Sequence, residues 1–186
     1  MKEFYIKISK FLAYILRHDP EKFHLQLDLE GYADLNAVLK ILNTRYQDKE
    51  ITEDLIKKII LESDKRRFEI VENKIRAYYG HSLKQKIKMK KAEILPPFLF
   101  HGTTKKAYEK IIKEGLKSEN RQYVHLSGNV EDAILVGKRR TNNPIILKIN
   151  TETARKEGMI FYESGDLYLT DFIPPNFISK LEKGEN

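Results

Sequence analysis

Apolar residues recur at helical spacing near the start of the chain. Ile8, Phe11, Leu12 and Ile15 fall on one face of a segment from 3 to 18, which predicts an amphipathic helix. Asp19-Pro20 stops it and leaves Arg17-His18 at its C-terminal end, where cations suit the helix dipole or are projected into a cleft. His24 to Asp28 alternates weakly, predicting a short strand with a turn at Glu30-Gly31. Asp34 is placed to cap a second helix through Val38, Leu39 and Leu42 to about Tyr46. Thr52 and Glu53 open a third, with Leu55, Ile56, Ile59 and Ile60 apolar. Arg67 to Val71 then alternates as a strand, Glu72-Asn73 makes a tight turn, and Lys74 to Tyr78 returns. Period two puts Lys74, Arg76 and Tyr78 on one face of this hairpin.

The second half reads differently. Phe98 to Phe100 is a short buried strand that ends in His101-Gly102-Thr103. Thr103 or Thr104 caps a helix whose apolar stripe is Ala107, Tyr108, Ile111 and Ile112, and Gly115 with Leu116 suits a Schellman-type stop. Further strands are expected at Val124–Ser127, Pro144–Ile149, Met159–Tyr162 and Leu167–Leu169, the last two joined by a turn at Ser164-Gly165-Asp166. Val130 to Val136 reads as a short helix, Gly137 to Arg140 as a basic turn, and Pro174 onward as a frayed polar end. The change from helices to short strands, with a Lys-rich run to about Ile94 and then Pro96-Pro97, predicts two lobes, 1–94 and 95–186. The expected fold class is α+β.

Composition narrows the partners. The chain has 186 residues and no cysteine, so disulfides and thiolate metal sites are excluded. Its N-terminus carries charges inside the apolar run and lacks a cleavage pattern, and no apolar run approaches membrane-spanning length, so a cytoplasmic protein is expected. Between Lys65 and Lys91 stand 10 Lys or Arg against 2 acids, a surplus of 8, although the whole chain is only +7. Such a local surplus favours a polyanion, whose phosphates release counterions on binding; the plainer alternative is a solvated face or linker. Helices followed by a basic hairpin describe a winged helix, and a basic strand face bearing Tyr78 suits a phosphate backbone with stacked bases. A charge-protected edge strand would look the same. No Asp/His cluster has metal-ligand spacing, so no catalytic metal is expected.

Taken in order, SKFLAYILRHDP, IRAYYGHS, PPFLFHGT, RQYVHLS, VGKRR and FYESGDLYLTDFIPP resemble the Tpt1/KptA family, the NAD-dependent RNA (tRNA) 2′-phosphotransferases. Each motif is weak alone; six in the right order, from about Ser9 to Ile178, are specific. The resemblance implies an N-terminal winged-helix-like RNA lobe, a β-rich ADP-ribosyltransferase-like C-terminal lobe, and an active site between them. It implies that an internal RNA 2′-phosphate, of the tRNA splice-junction type, attacks the nicotinamide ribose of NAD and expels nicotinamide. The resulting ADP-ribosylated RNA 2′-phosphate then yields 2′-OH RNA and ADP-ribose 1″,2″-cyclic phosphate. The family's Arg-His-Arg-Arg set falls on Arg17, His18, Arg76 and Arg121, and its accompanying Lys on Lys74. The NAD-side residues fall on His101, Gly102, Thr103, His125 and Ser127, with Arg139 and Arg140 nearby. Two positions depart from the usual motifs: Tyr79 stands where relatives carry Gln, and Tyr123 where they carry His.

The chemistry agrees with the resemblance. A 2′-phosphate beside a phosphodiester concentrates negative charge, which guanidiniums meet bidentately while staying charged. A crowded anionic phosphorane in the second step is stabilised by fixed cations. Two other readings stand beside this one. An ADP-ribosyltransferase that caps terminal phosphates of RNA or DNA would use the same NAD residues. A non-enzymatic RNA-binding protein would leave His101-Gly102-Thr103 without a role. A monomer is expected.

Overall fold

The computed structural model describes residues 2–182. The chain divides into two compact units, Met1–Lys88 and Met89–Asn186. No described helix is long and apolar enough to cross a membrane.

The first unit contains α1 (Lys2–Arg17), β1 (Tyr32–Asp34), α2 (Leu35–Arg45), α3 (Glu53–Leu61), β2 (Phe68–Val71) and β3 (Lys74–Ala77). The helices start where short polar side chains can take up orphan N–H groups. The Asp34 carboxylate accepts from the Ala37 amide at 2.7 Å, and the Thr52 hydroxyl from the Leu55 amide at 3.3 Å. Ile8, Leu12, Ile15 and Leu16 of α1 pack with Leu35, Val38, Leu42, Ile56 and Ile75 in one buried cluster.

Two expectations fail here. His24 to Asp28 forms no strand: His24 adopts φ 51°, and the Asp28 carboxylate instead accepts from the amides of Glu30 and Tyr32. Such an Asx-type turn satisfies the backbone locally and displaces strand pairing. The partner strand lies further on, at β1, and the sheet order is β1-β3-β2. The basic strand β3 is therefore central, not an exposed edge.

The stretch after the hairpin is folded onto this unit. Ser82 N–H donates to the Arg17 carbonyl at 2.9 Å and Lys88 N–H to the Leu29 carbonyl at 2.8 Å. Ile87 is buried beside Gly31, whose φ of +83° and lack of a Cβ admit it. Part of the Lys-rich run thus packs on the loop at 29–31, and Ala92 and Leu95 pack against the second unit's core.

That second unit holds β4 (Phe98–Thr103), α4 (Lys105–Glu114), β5 (Leu116–Lys117), β6 (Val124–Ser127), α5 (Val130–Gly137), β7 (Ile145–Asn150) and α6 (Thr151–Lys156). β8 (Tyr162–Ser164), β9 (Leu167–Thr170), β10 (Phe172–Ile173) and β11 (Ile178–Lys180) complete it. Six strands form an antiparallel sheet in the order β11-β7-β4-β6-β9-β8, and β10 pairs with β5 separately. Helix α6 and strand β11 were not expected; Asn150 caps α6 through the Thr153 amide, and β11 covers the edge of β7. The strand expected from Met159 begins only at Tyr162. Leu116 enters β5 opposite Ile173 and is buried in the same cluster as Ile111 of α4, while Ile112 of the α4 stripe stays exposed. The cap of α4 is Thr104, which accepts from the Ala107 amide.

Candidate functional site

The last turn of α1 carries Arg17 and His18 into a set of contacts with the hairpin and the strap that follows it. The Arg17 guanidinium lies 5.4 Å from the Phe68 ring centre and 4.9 Å from that of Tyr79, and donates to the Arg67 carbonyl at 3.4 Å. His18 Nδ1 is 2.8 Å from the Ser82 hydroxyl, while Ser82 N–H takes the Arg17 carbonyl. The strap 79–82 therefore fixes both residues, once through a ring face and once through Ser82. Tyr79 does this with its aromatic face, which the Gln expected from the resemblance would not offer.

Lys74 and Arg76 stand on the outer face of the sheet, opposite the face that buries Ala33, Phe68, Ile75 and Ala77. The register aligns Tyr32, Arg76 and Glu69 as a row across three strands. Arg76 Nε donates to the Glu69 carboxylate, which also accepts from the Tyr32 hydroxyl at 2.6 Å and the Tyr78 hydroxyl at 2.7 Å. The guanidinium lies 4.5 Å from the Tyr32 ring centre and 5.7 Å from that of Tyr78. Burial alone would raise the Glu69 carboxyl, but the two hydroxyls and Arg76 outweigh it and hold the group below the usual range. Burial and the bond to Glu69 push the Tyr32 phenol up to about 12, against the pull of Arg76. Lys74 reaches Asp28 at 3.3 Å in a much more exposed pair.

In the second unit, His101, Gly102 and Thr103 are the last three residues of β4, so the expected strand continues through them to its C-terminal end. Strand β4 pairs along its whole length with β7 but with β6 only at Phe100↔Ser127. Past that point the ladder opens, and His101 Nδ1 reaches across to the His125 carbonyl at 3.0 Å. A carbonyl can only accept, so Nδ1 carries the proton and Nε2 is left as an acceptor. Burial pushes the imidazole below its ordinary value against this bond, and the Arg140 charge adds to the lowering. His101 is therefore neutral near pH 7.

Gly102 has a packing reason. A Cβ there would collide with the Ala133 carbonyl of α5 and lie 3.0 Å from the Gly137 Cα. This close approach seats α5 on β4 and brings the turn bearing Arg139 and Arg140, both exposed, beside His101. Thr103 and Ser127 are buried, His125 is half-buried, and Arg121 is exposed in the turn before β6. Tyr123 is buried with its ring 5.3 Å from that of Tyr162, and burial with the nearby Tyr162 and Asp171 pushes its phenol up to about 12.

Within the first unit, then, the fold groups Arg17 with His18 and, on the outer sheet face, Lys74 with Arg76. Within the second it groups His101, Gly102, His125 and Arg140. Sequence reasoning missed Glu69 and Tyr32. The two-residue turn at Glu72-Asn73 sets Glu69 opposite Arg76, so the carboxylate was legible from hairpin register; Tyr32 was not, because a three-residue strand leaves almost no pattern.

Comparison with known proteins follows the same path. A family model described as "RNA 2′-phosphotransferase, Tpt1 / KptA family" matches residues 4–171. A "Probable RNA 2′-phosphotransferase" of Acetivibrio thermocellus is 43% identical over 175 residues, covering 94% of this chain and 96% of that relative. One from Bacillus thuringiensis subsp. konkukian is 41% identical over 179 residues, covering 96% of each chain. One from Thermococcus kodakarensis is 38% identical over 174 residues, covering 93% and 95%.

Proposed function

Because the chain belongs to the RNA 2′-phosphotransferase, Tpt1/KptA family, we propose that it moves an internal 2′-phosphate of RNA onto NAD. The observation that carries this is the family match over residues 4–171. The geometry adds two supports: a pair of cations on one face of a central strand, and a sheet opened beside a neutral imidazole.

The order of elements in the first unit, with a hairpin joined by a third strand, supports reading it as a winged-helix-like RNA lobe. There Lys74 and Arg76 would hold the 2′-phosphate and stabilise charge that accumulates on its oxygens. Arg17 and His18 would position the same phosphate from the helix end, with Arg121 as a further cation. The opened β4–β6 ladder supports an ADP-ribosyltransferase-like reading of the second unit.

The residues there fit NAD as co-substrate. An imidazole whose Nε2 only accepts suits a ribose hydroxyl, and exposed Arg139 and Arg140 suit a pyrophosphate. Thr103, His125 and Ser127 would line the same strands, and Gly102 would serve through the seating of α5. NAD would supply the ribose that receives the phosphate.

The test is incubation with NAD and an oligonucleotide carrying one internal 2′-phosphate, in the presence of a divalent-metal chelator. The expected products are 2′-OH RNA, nicotinamide and ADP-ribose 1″,2″-cyclic phosphate. Release of inorganic phosphate, or dependence on restored magnesium, would overturn the reading. A stable ADP-ribosyl cap on a terminal phosphate as the sole product would favour the capping activity instead.

A further inference from the structure

The structure assigns Glu69 the part of a positioning residue that holds the Arg76 guanidinium in one plane and offsets its charge until a phosphate arrives. The assignment rests on the proposed role of Arg76.

Three donors converge on this one carboxylate from the other two strands of the sheet or their ends: Tyr32 Oη from β1, and Arg76 Nε and Tyr78 Oη from β3 and the residue past it. Only 21% of the Glu69 side chain and 19% of that of Arg76 are exposed, so water screens the pair weakly. The Tyr32 ring closes one side of the guanidinium at 4.5 Å, and the Tyr78 ring lies at 5.7 Å. Tyr78 is itself fixed by Arg66, whose guanidinium lies 5.6 Å from its ring centre. A guanidinium bound at Nε and flanked by rings cannot swing, and bidentate phosphate recognition needs a fixed fork. The Lys74–Asp28 pair beside it, with Lys74 60% exposed, has no such enclosure.

Such a carboxylate acts in two opposed ways. It repels an approaching phosphate, and so weakens RNA binding at rest. It also holds the cation where charge develops, and so speeds turnover. A merely structural ion pair would give neither signature, because its loss would lower both affinity and rate along with stability.

The opposition can be read with Glu69→Gln, which keeps the shape and removes the charge. Binding is measured on a 2′-phosphorylated oligonucleotide without NAD over a range of salt, and turnover is measured with NAD at saturating RNA. Glu69→Gln is expected to bind several-fold tighter, with a log–log salt slope steeper by about 0.7–0.9 for one uncovered cation. Its turnover is expected to fall by about tenfold, since a neutral acceptor holds the guanidinium less firmly. Tyr32→Phe removes a neutral donor and leaves the carboxylate charged, so it should keep the salt slope and lower turnover by less than Glu69→Gln. If Glu69→Gln does not fold, wild-type turnover in Tyr32→Phe would overturn the assignment. In Glu69→Gln, weaker binding together with slower turnover, or no change in either, would overturn the assignment. Should the wild type fail to act on 2′-phosphates, the proposed function falls, yet the affinity and its salt slope still decide whether Glu69 masks Arg76.

Discussion

The two units fix their candidate side chains by different means. In the first, cations are held by other side chains: Arg17 between the rings of Phe68 and Tyr79, Arg76 by Glu69 and two tyrosines, Lys74 by Asp28. In the second, backbone does the placing. His101 is fixed by a carbonyl across an opened ladder, and Arg140 is brought near it because two glycines let α5 sit directly on β4. A site held by side chains can be altered one interaction at a time. A site held by backbone approach tolerates no added atom at the contact, and its failures are failures of folding.

The sharpest way to break this contrast is a single methyl. Gly102→Ala must displace the Ala133 carbonyl or the strand, and overpacking of this kind costs about 1–3 kcal/mol or more. Denaturant unfolding should show that loss, while removing a side-chain contact in the first unit should cost far less. If Gly102→Ala is as stable as wild type, α5 is not seated as described.

A smaller effect is expected from Tyr79→Gln, which installs the residue that the motif resemblance leads one to expect at this position. It removes one ring from the Arg17 stack, worth about 0.5–1 kcal/mol at a partly exposed site. Thermal unfolding reads the stability, and the KM for RNA should rise with kcat nearly unchanged. An unaltered midpoint would show that the Tyr79 ring adds nothing to the hold on Arg17.

The smallest effect concerns pH. His101 is held below its ordinary value of 6.5, so the folded state resists a proton that the unfolded chain accepts. Its contribution is fully present above about pH 6.5 and is lost as pH falls from there through the lowered folded value. Unfolding midpoints of wild type and His101→Asn should therefore converge on acidification. Parallel curves would contradict the neutral, carbonyl-bound imidazole.

Much of this was legible in the chain. The face of α1 showed in Ile8, Phe11, Leu12 and Ile15 because four residues repeat a 3.6-residue period, and Asp34 and Thr52 marked their helices by capping chemistry. The hairpin showed through alternation and its two-residue turn. What escaped was short or long-range. β1 and β11 have three residues each and exist because distant strands, β3 and β7, offer open edges. The extended look of His24–Asp28 lost to a local turn built on the Asp28 carboxylate. The candidate residues themselves came from motif resemblance. Their surroundings came only with the fold, since a cation reveals nothing in sequence about the carboxylate across the sheet or the ring above it.

The central claim is that the side-chain-held cations of the first unit act on the phosphate, while the backbone-held residues of the second unit act on the dinucleotide. It is tested most directly by single-turnover reaction of Arg76→Ala with NAD and an internally 2′-phosphorylated oligonucleotide, following nicotinamide release and 2′-OH RNA formation separately. Charge on the phosphate falls in the first event and accumulates in the second, where losing one fixed donor costs about 3–4 kcal/mol, or 10²–10³ in rate. Nicotinamide release should therefore stay within a few-fold of wild type while RNA carrying the ADP-ribosyl group accumulates. Equal slowing of both events would contradict the division of work between the two units.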